Sequence, residues 1–424
     1  MSSTHSRRKS DDTRSLSQRA TAGLLTQRGL DVDASSPLPI VRLRSVRRHP
    51  LLYRKLIDRV DDAARPGDLV AVLTPQGELL GHGLYNPRAE ITVRMLNFGP
   101  EVPDATFWQR RLELAVQLRR HSLQLDVSAN AYRILHAEAD GFSGLMVDRY
   151  GDILSAEVFS LAMYQRSQAI LERLAALLGT KHTLVQVAPQ THGQEGFLAE
   201  PVGSAGLPDD VVITEHGTQF RVRFQGGHKT GFFCDQRDNR RRLASFCAGK
   251  SVLDLCCYTG GFAVQAKRLG QAKEVTAVDL DEKAIELVHE NARLNQVRIQ
   301  SVHADIFGYL RDMQQNGRRF DVIVLDPPKL IRSRRELEEG TRKHLDMNRL
   351  ALPLVAPGGL LLTCTCSGLL EPVEFNRLIH QAARQGIPER SVQILERTGA
   401  APDHPVSLDC PETEYLKAAW LRVV

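Results

Sequence analysis

The sequence predicts an α/β protein: a C-terminal doubly wound parallel sheet preceded by a small β-rich barrel and a small α+β unit. Three observations carry this. Residues 206–424 alternate apolar strand-like runs with helical ones, the pattern of a parallel sheet with crossover helices. Residues 37–103 hold short strand-like runs separated by Pro, Gly and Asn turns. The chain has 424 residues, 42% apolar and 25% charged, enough for several domains of about 150 residues each. No run approaches the roughly 18 apolar residues needed to cross a bilayer, and the N-terminus shows no apolar signal core, so a cytoplasmic protein without membrane partners is expected.

Residues 1–36 are rich in Ser, Thr, Arg and Asp and lack apolar periodicity, which predicts a disordered tail. In residues 37–121, Ile40–Leu43, Asp68–Leu73, Leu79–Gly83 and Ile91–Leu96 read as strands, with turns at Thr74-Pro75-Gln76-Gly77 and Asn86-Pro87; residues 104–121 read as a linking helix. Residues 122–205 form the α+β unit, with strands at Ala131–Ala137 and from Leu145, and one amphipathic helix over Leu161–Leu178. In residues 206–424, strands are expected at Ser251–Leu255, Glu274–Val278, Ile299–Val302, Phe320–Leu325 and Leu360–Cys366, with helices over Gly261–Leu269 and Asp281–Leu294.

The net charge of +5 is unevenly placed: residues 1–120 hold 20 Lys and Arg against 13 Asp and Glu, a balance of +7, leaving −2 for the rest. A basic front half suits a polyanion, of which nucleic acid is the commonest, and equally suits a plain solvated surface. Seven cysteines, with no C-x-x-C pair and no His at zinc-finger spacing, argue against a disulfide framework and against a structural metal.

The segment Val252-Leu253-Asp254-Leu255-Cys256-Cys257-Tyr258-Thr259-Gly260-Gly261 reads as strand, tight turn and helix start. Asp254 lies near the carboxyl end of its strand, where such sheets bind ligands. Asp279 ends the next strand, Asp305 follows His303-Ala304, and Asp326 opens Asp326-Pro327-Pro328-Lys329. A pyrophosphate cofactor prefers bare amides in G-x-G-x-x-G; here Tyr258 and Thr259 occupy the turn, which disfavours a nicotinamide dinucleotide. Carboxylates in series favour a cofactor with ribose, adenine and a cation, which describes S-adenosylmethionine (SAM). Strand-end Asp residues also cap helices, the plainer role for any one of them.

Thr363-Cys364-Thr365-Cys366-Ser367-Gly368 ends a later strand, with both cysteines on one face. Cys364 reads as core packing and Cys366, at the edge, as a nucleophile. C5 of cytosine accepts a methyl only after a thiolate adds at C6, and that chemistry needs a Cys.

These motifs resemble the ribosomal RNA large-subunit methyltransferase I family, bacterial enzymes that make 5-methylcytosine in 23S rRNA. The likeness spans about residues 40–424. It rests on Arg47-Arg48-His49-Pro50 and Gly81–Pro87, on Ala137–Gly141 with Val147–Asp152, and on Gly227–Phe233 and Asp235–Arg240. Asp326–Lys329, Cys364–Gly368, Asp403-His404-Pro405 and Tyr415-Leu416-Lys417 complete it. The resemblance implies an N-terminal PUA domain that binds RNA and a class I SAM-methyltransferase domain. It implies SAM contacts from Asp254, Tyr258, Thr259, Gly260, Asp279, Leu280, Asp305, Ile306, Asp326, Pro327 and Gln236. Catalysis would fall to Cys366 and Asp326, and RNA contacts to Arg47, Arg48, His49, Lys229, Arg237 and Lys329. The implied partner is 23S rRNA, and a homodimer is admitted. Related RNA cytosine methyltransferases carry a second Cys before the paired prolines, where this chain has Leu325; product release then needs another group, or Cys364. Two other readings stay open: a guanine or adenine N-methyltransferase, and a SAM-fold RNA-binding factor without turnover.

Overall fold

The computed structural model describes residues 23–33, 36–224 and 231–424. The N-terminal sheet has six strands in the order Leu51–Tyr53, Ile91–Phe98, Leu79–Tyr85, Leu69–Leu73, Ile40–Leu43 and Ile57–Val60. Alternating residues close its own core of Val41, Leu43, Leu52, Val70, Val72, Val93 and Met95. The central sheet runs Val202–Gly203, His182–Val187, Ile153–Val158, Leu145–Tyr150 and Ala131–His136. Helices Ala105–Gln117 and Ser167–Leu178 bury Trp108, Leu112, Ile170 and Leu174 in the same core.

Two expectations fail here. The tail is not wholly free of structure: Leu30 is 2% exposed in the central core, the Arg28 guanidinium pairs with Asp68 at 2.6 Å, and the Gln165 side chain donates to the Leu24 carbonyl at 2.7 Å. Three leucines in a polar stretch suffice to dock it, although they form no periodic pattern. Residues 1–22 of the expected tail lie outside the described residues. The single helix over Leu161–Leu178 is two, Leu161–Tyr164 and Ser167–Leu178. The Arg166 guanidinium, at the break, donates to the Gly67 carbonyl at 2.9 Å.

The C-terminal sheet has seven strands: β1 (Ser251–Leu255), β2 (Glu274–Asp279), β3 (Gln300–His303), β4 (Phe320–Leu325), β5 (Val355–Thr365), β6 (Val392–Thr398) and β7 (Lys417–Val423). Their spatial order is β3-β2-β1-β4-β5-β7-β6. Strands β1 to β5 pair in parallel and β7 runs antiparallel between β5 and β6. Helices α1 (Arg237–Ala244), α2 (Gly261–Arg268) and α3 (Glu282–Leu294) accompany α4 (Ile306–Gln315), α5 (Leu337–Ala351) and α6 (Pro372–Gly386). One core holds Leu253, Ile323, Leu361 and Leu421 with α4, α5 and α6; the other holds Val252, Val324, Leu362 and Trp420 with α1, α2 and α3. Strands buried on both faces read as unbroken apolar runs, which is why β1 and β4 appear at their expected limits.

A hairpin of Asp210–Glu215 and Thr218–Arg223 stands apart from this sheet. It is anchored by a buried ion pair in which Arg240 Nε of α1 donates to Glu215 Oε1 at 2.8 Å.

The candidate active site at the carboxyl edge of the C-terminal sheet

The β1–α2 turn forms the floor. Asp254 is 1% exposed; its Oδ2 accepts from the Ala263 amide at 2.9 Å, and its Oδ1 is buried with no hydrogen-bond partner. Burial pushes the Asp254 carboxyl well above the ordinary range; the Ala263 amide opposes this, and the charges of Asp326 and Asp279 add to it. Beyond Leu255 the turn takes positive φ at Cys256 (58°), Tyr258 (49°) and Gly260 (81°). Side chains in that region are strained by about 1–2 kcal/mol each. Neighbours hold them there: the Tyr258 amide donates to Asp279 Oδ2 at 2.8 Å, and Asn291 of α3 donates to the Thr259 carbonyl at 2.9 Å. The Tyr258 ring meets Phe233 edge-on at 5.1 Å. The Thr259 hydroxyl is buried without a partner.

Asp279 spends its Oδ1 on the Asp281 amide at 2.9 Å, and Leu280 beyond it is exposed. Asp305 is the N-cap of α4, its Oδ2 accepting from the Gly308 amide at 3.0 Å, while Ile306 is buried. Asp326 follows β4 directly. Gln236, buried, donates its Nε2 to Asp326 Oδ2 at 3.0 Å and accepts from Asn239 at 2.6 Å. A residue 90 positions upstream thus aims the carboxylate. Pro327 is buried, whereas Pro328 and Lys329 are exposed.

Strand β5 ends at Thr365, and Cys366 leaves the ladder half-buried against the core shared with Trp420 and Phe262. The loop beyond it is pinned: Thr365 Oγ1 accepts from the Ser367 amide at 3.3 Å, His344 Nε2 of α5 meets the same oxygen at 3.1 Å, and Ser367 Oγ accepts from the Ile331 amide at 3.3 Å. Cys364 is 0% exposed, and burial pushes its thiol well up.

The edge therefore brings Asp254, Asp279 and Asp326 together at the ends of β1, β2 and β4, with a thiol at the end of β5. This donor set fits SAM. Carboxylates accept from ribose hydroxyls and favour a sulfonium, and the orphaned Asp254 Oδ1 and Thr259 Oγ1 offer unused bonding capacity.

The expected RNA contacts divide. Arg47 and Arg48 are exposed, with the Arg48 guanidinium over the Phe98 ring at 5.5 Å. His49 is buried: its Nδ1 accepts from the Leu51 amide at 3.1 Å, so its Nε2 carries the proton it shares with Glu412 at 3.2 Å. Cys410 stands beside this pair, and the three groups bring their donor atoms within 4.8 Å of one another. The backbone bond to Nδ1 accounts for them as a hydrogen-bonded latch between the N-terminal sheet and the 403–415 loop. Arg237 is corrected: it is 1% exposed and forms a two-pronged pair with Asp403 at 3.0 Å, so phosphate cannot reach it. Both residues stood in the motifs, yet only the fold joins positions 166 apart. Lys229 lies outside the described residues, and Lys329 is exposed at the site's rim. Lys417, at the start of β7, went unassigned in sequence; its match in the Tyr415-Leu416-Lys417 motif was the only signal.

Comparison with known proteins agrees with this architecture. Residues 199–422 match the family described as S-adenosylmethionine-dependent methyltransferase, and residues 43–98 match a PUA-like domain. A solved structure from Streptococcus mutans, described as a SAM-dependent methyltransferase, shares the fold with a TM-score of 0.75 at 20% identity, over 90% of this chain and 99% of that one. Another methyltransferase structure, complexed with SAH, gives 0.75 at 21% identity, over 91% and 100%. Among the described residues no helix is long and apolar enough to cross a membrane. A ribosomal RNA large subunit methyltransferase I from Aeromonas hydrophila is 38% identical over 385 residues, covering 89% of this chain and 96% of the relative. Its counterpart from Klebsiella pneumoniae is 37% identical over 386 residues, covering 89% and 95%. With its SAM-methyltransferase domain, its PUA-like domain and relatives of this identity along almost their whole length, the chain belongs to the ribosomal RNA large subunit methyltransferase I family.

Proposed function

We propose that this protein transfers a methyl group from SAM to C5 of a cytosine in large-subunit (23S) rRNA, in the cytoplasm, through a covalent adduct of Cys366. The observation that carries the reading is the place of Cys366. It lies one residue beyond β5, half-buried, at the edge where the neighbouring strand β4 delivers Asp326 and its paired prolines. The relatives' shared name supplies the rRNA substrate.

SAM supplies an electrophilic methyl on a sulfonium. Asp254, Tyr258, Thr259, Gly260, Asp279, Leu280 and Ile306 would line its ribose and adenine, with Asp326, Pro327 and Gln236 on the side facing the base. Asp305 has one oxygen on the Gly308 amide and keeps the other for an adenine amino group. The Cys366 thiolate would add to C6 and shift the electron pair of the C5–C6 double bond to C5, which would take the methyl while the pair of the broken S–CH3 bond stays on sulfur as a neutral thioether. A base then removes the C5 proton, the double bond re-forms, and the thiolate leaves. Asp326, aimed by Gln236, accepts from the cytosine amino edge and fixes the ring over Cys366. Residues 37–121 would present Arg47 and Arg48 to the RNA backbone, where phosphate contacts position the substrate.

Cys366→Ala should abolish transfer of labelled methyl to rRNA while calorimetry still shows SAM binding. Bisulfite mapping of 23S rRNA with and without the protein should reveal one protected cytosine. An N-methylated guanine or adenine in the product nucleosides would overturn the cytosine reading.

A further inference from the structure

We propose that the groove between the N-terminal sheet, the helix Ala105–Gln117 and the 403–415 loop holds a single-stranded stretch of the RNA substrate, with Arg111 as its phosphate anchor. This rests on the rRNA reading given above and adds a binding residue and the form of RNA it takes.

The groove has a volume of about 690 Å³, within the ~300–1,000 Å³ of ordinary ligand sites. Segments far apart in sequence line it: Arg48 and Phe98 from the N-terminal sheet's rim, Arg110 and Arg111 from the helix, the Glu138–Gly141 turn of the central unit, and Ser407 with Asp409 from the loop. The Arg111 guanidinium lies over the Phe107 ring at 4.5 Å, and that of Arg48 over Phe98 at 5.5 Å. Gly141 makes the space for Arg111, since a Cβ at that position would overlap its Nη1.

Most of the groove's acids are taken, and two of its cations are not. Glu101 holds Arg110 at 2.6 Å and 2.8 Å, Glu138 accepts from the Ser143 hydroxyl at 2.8 Å and meets Arg94 at 3.5 Å, and Asp140 holds Arg119 at 2.7 Å and 2.8 Å. Asp409 remains, exposed on the loop. Arg48 and Arg111 have their ring contacts and, among the described residues, no hydrogen bond or ion pair. Arg111 is half-buried, and burial draws its guanidinium down; Arg110 adds to this, and Glu101 and Asp140 oppose it. A guanidinium held partly away from water without a partner gains most from an anion it can grip with two N–H groups, as it can a phosphate. The half-buried Phe98 ring with Arg48 over it offers a flat cationic surface on which a base can stack. A base reaches such a surface only when it is out of a helix, which favours a single strand over a duplex. The loop leads on to β7, whose first residue lies opposite Thr365, so one segment joins the groove to the strand end that carries Cys366.

The test measures binding of a fluorescein-labelled single-stranded RNA of about 16 nucleotides to the full chain by anisotropy, between about 50 and 200 mM KCl. Arg111→Met should weaken binding about tenfold at the lower salt and flatten the slope of log affinity against log salt by about 0.7, the value for one phosphate contact on a single strand, while SAM affinity by calorimetry stays at the parent's. A merely structural arginine would leave that slope unmoved. Phe98→Leu should cost at least about fivefold in affinity with the slope kept, because stacking releases no counterion. Should Arg111→Met fail to fold, Arg48→Gln, a change at an exposed residue, should flatten the slope by the same ~0.7. An unmoved slope in whichever folded variant is read overturns the proposal, and so does tighter binding of a duplex of the same sequence. A parent protein that binds and methylates RNA alongside an unmoved slope would remove the groove alone, whereas a parent that binds no RNA would remove the rRNA reading itself.

Discussion

The seam between the central and C-terminal domains and the carboxyl edge of the seven-stranded sheet both bury carboxylates, but they treat them in opposite ways. At the seam, Asp403 is 0% exposed and every face of it is met: two bonds from Arg237, one from the Arg133 amide at 2.9 Å, and a carbonyl that takes the Arg119 guanidinium at 2.7 Å. Arg119 also grips Asp140 at 2.7 Å and 2.8 Å, and Arg133 holds Asp148 at 2.6 Å. Burial alone would raise the Asp403 carboxyl, but His404 and Arg237 hold it far below the carboxylate range. At the edge, Asp254 is just as buried, keeps one oxygen unpaired, and is pushed upward by burial with like charges adding to it. The difference separates structure from function. A saturated network fixes how two domains sit, whereas an unsaturated carboxylate holds bonding capacity for a ligand.

Breaking the seam should have the largest effect. Asp403→Asn leaves Arg237 buried beside a neutral partner and should cost about 3–5 kcal/mol in urea unfolding, as loss of one member of a buried pair does. A loss below about 1 kcal/mol would mean the network is dispensable.

Acid should sharpen the contrast next, because the two regions fail in different windows. The His344 pKa is lowered to about 4 by burial and by Lys417, below its unfolded value near 6.5. Its contribution is therefore present above about pH 6.5 and lost as pH falls toward 4, at most about 3 kcal/mol. Asp403 is also depressed, so its contribution is lost only below the ordinary carboxylate range. Hydrogen exchange between pH 6.5 and 4 should show β5 and α5 loosening while the Asp403 loop stays protected, and His344→Phe should flatten that dependence. Simultaneous loosening of both regions would refute the ordering.

The smallest effect on stability belongs to Asp254→Asn. Removing a buried, unneutralised carboxylate should leave stability unchanged or raise it by up to ~1 kcal/mol, while SAM affinity measured by calorimetry falls at least tenfold. Unfolding of this variant would place Asp254 with Asp403 as a structural group.

Much of the C-terminal sheet was legible because its parallel strands are buried on both faces. Ser251–Leu255 and Phe320–Leu325 are continuous apolar runs, and Asp254, Asp279 and Asp326 stand where those runs stop. Several other strands were missed, Lys417–Val423 among them although it is buried. Val392–Thr398 alternates with Glu and Arg, and Leu51–Tyr53 is only three residues long. The Asp305 carboxylate was read for the cofactor, and its bond to the Gly308 amide shows the capping role that a strand-end Asp equally allows. Arg237 was given to RNA by the family resemblance alone; the Asp403 that buries it lies 166 residues away.

Local composition determined strands such as Ser251–Leu255 and Phe320–Leu325, the turn at Gly260, the acidic series and the presence of a thiol, since each follows from the preferences of a few adjacent residues. The tertiary structure decided which charges pair and which stay open. It buried Arg237 and His49, turned Gln236 onto Asp326, and set Lys417 beside the Cys366 loop. Those outcomes depend on groups far apart in sequence meeting in a low-dielectric interior, where pairing is strong and isolation costly, and no local pattern encodes that.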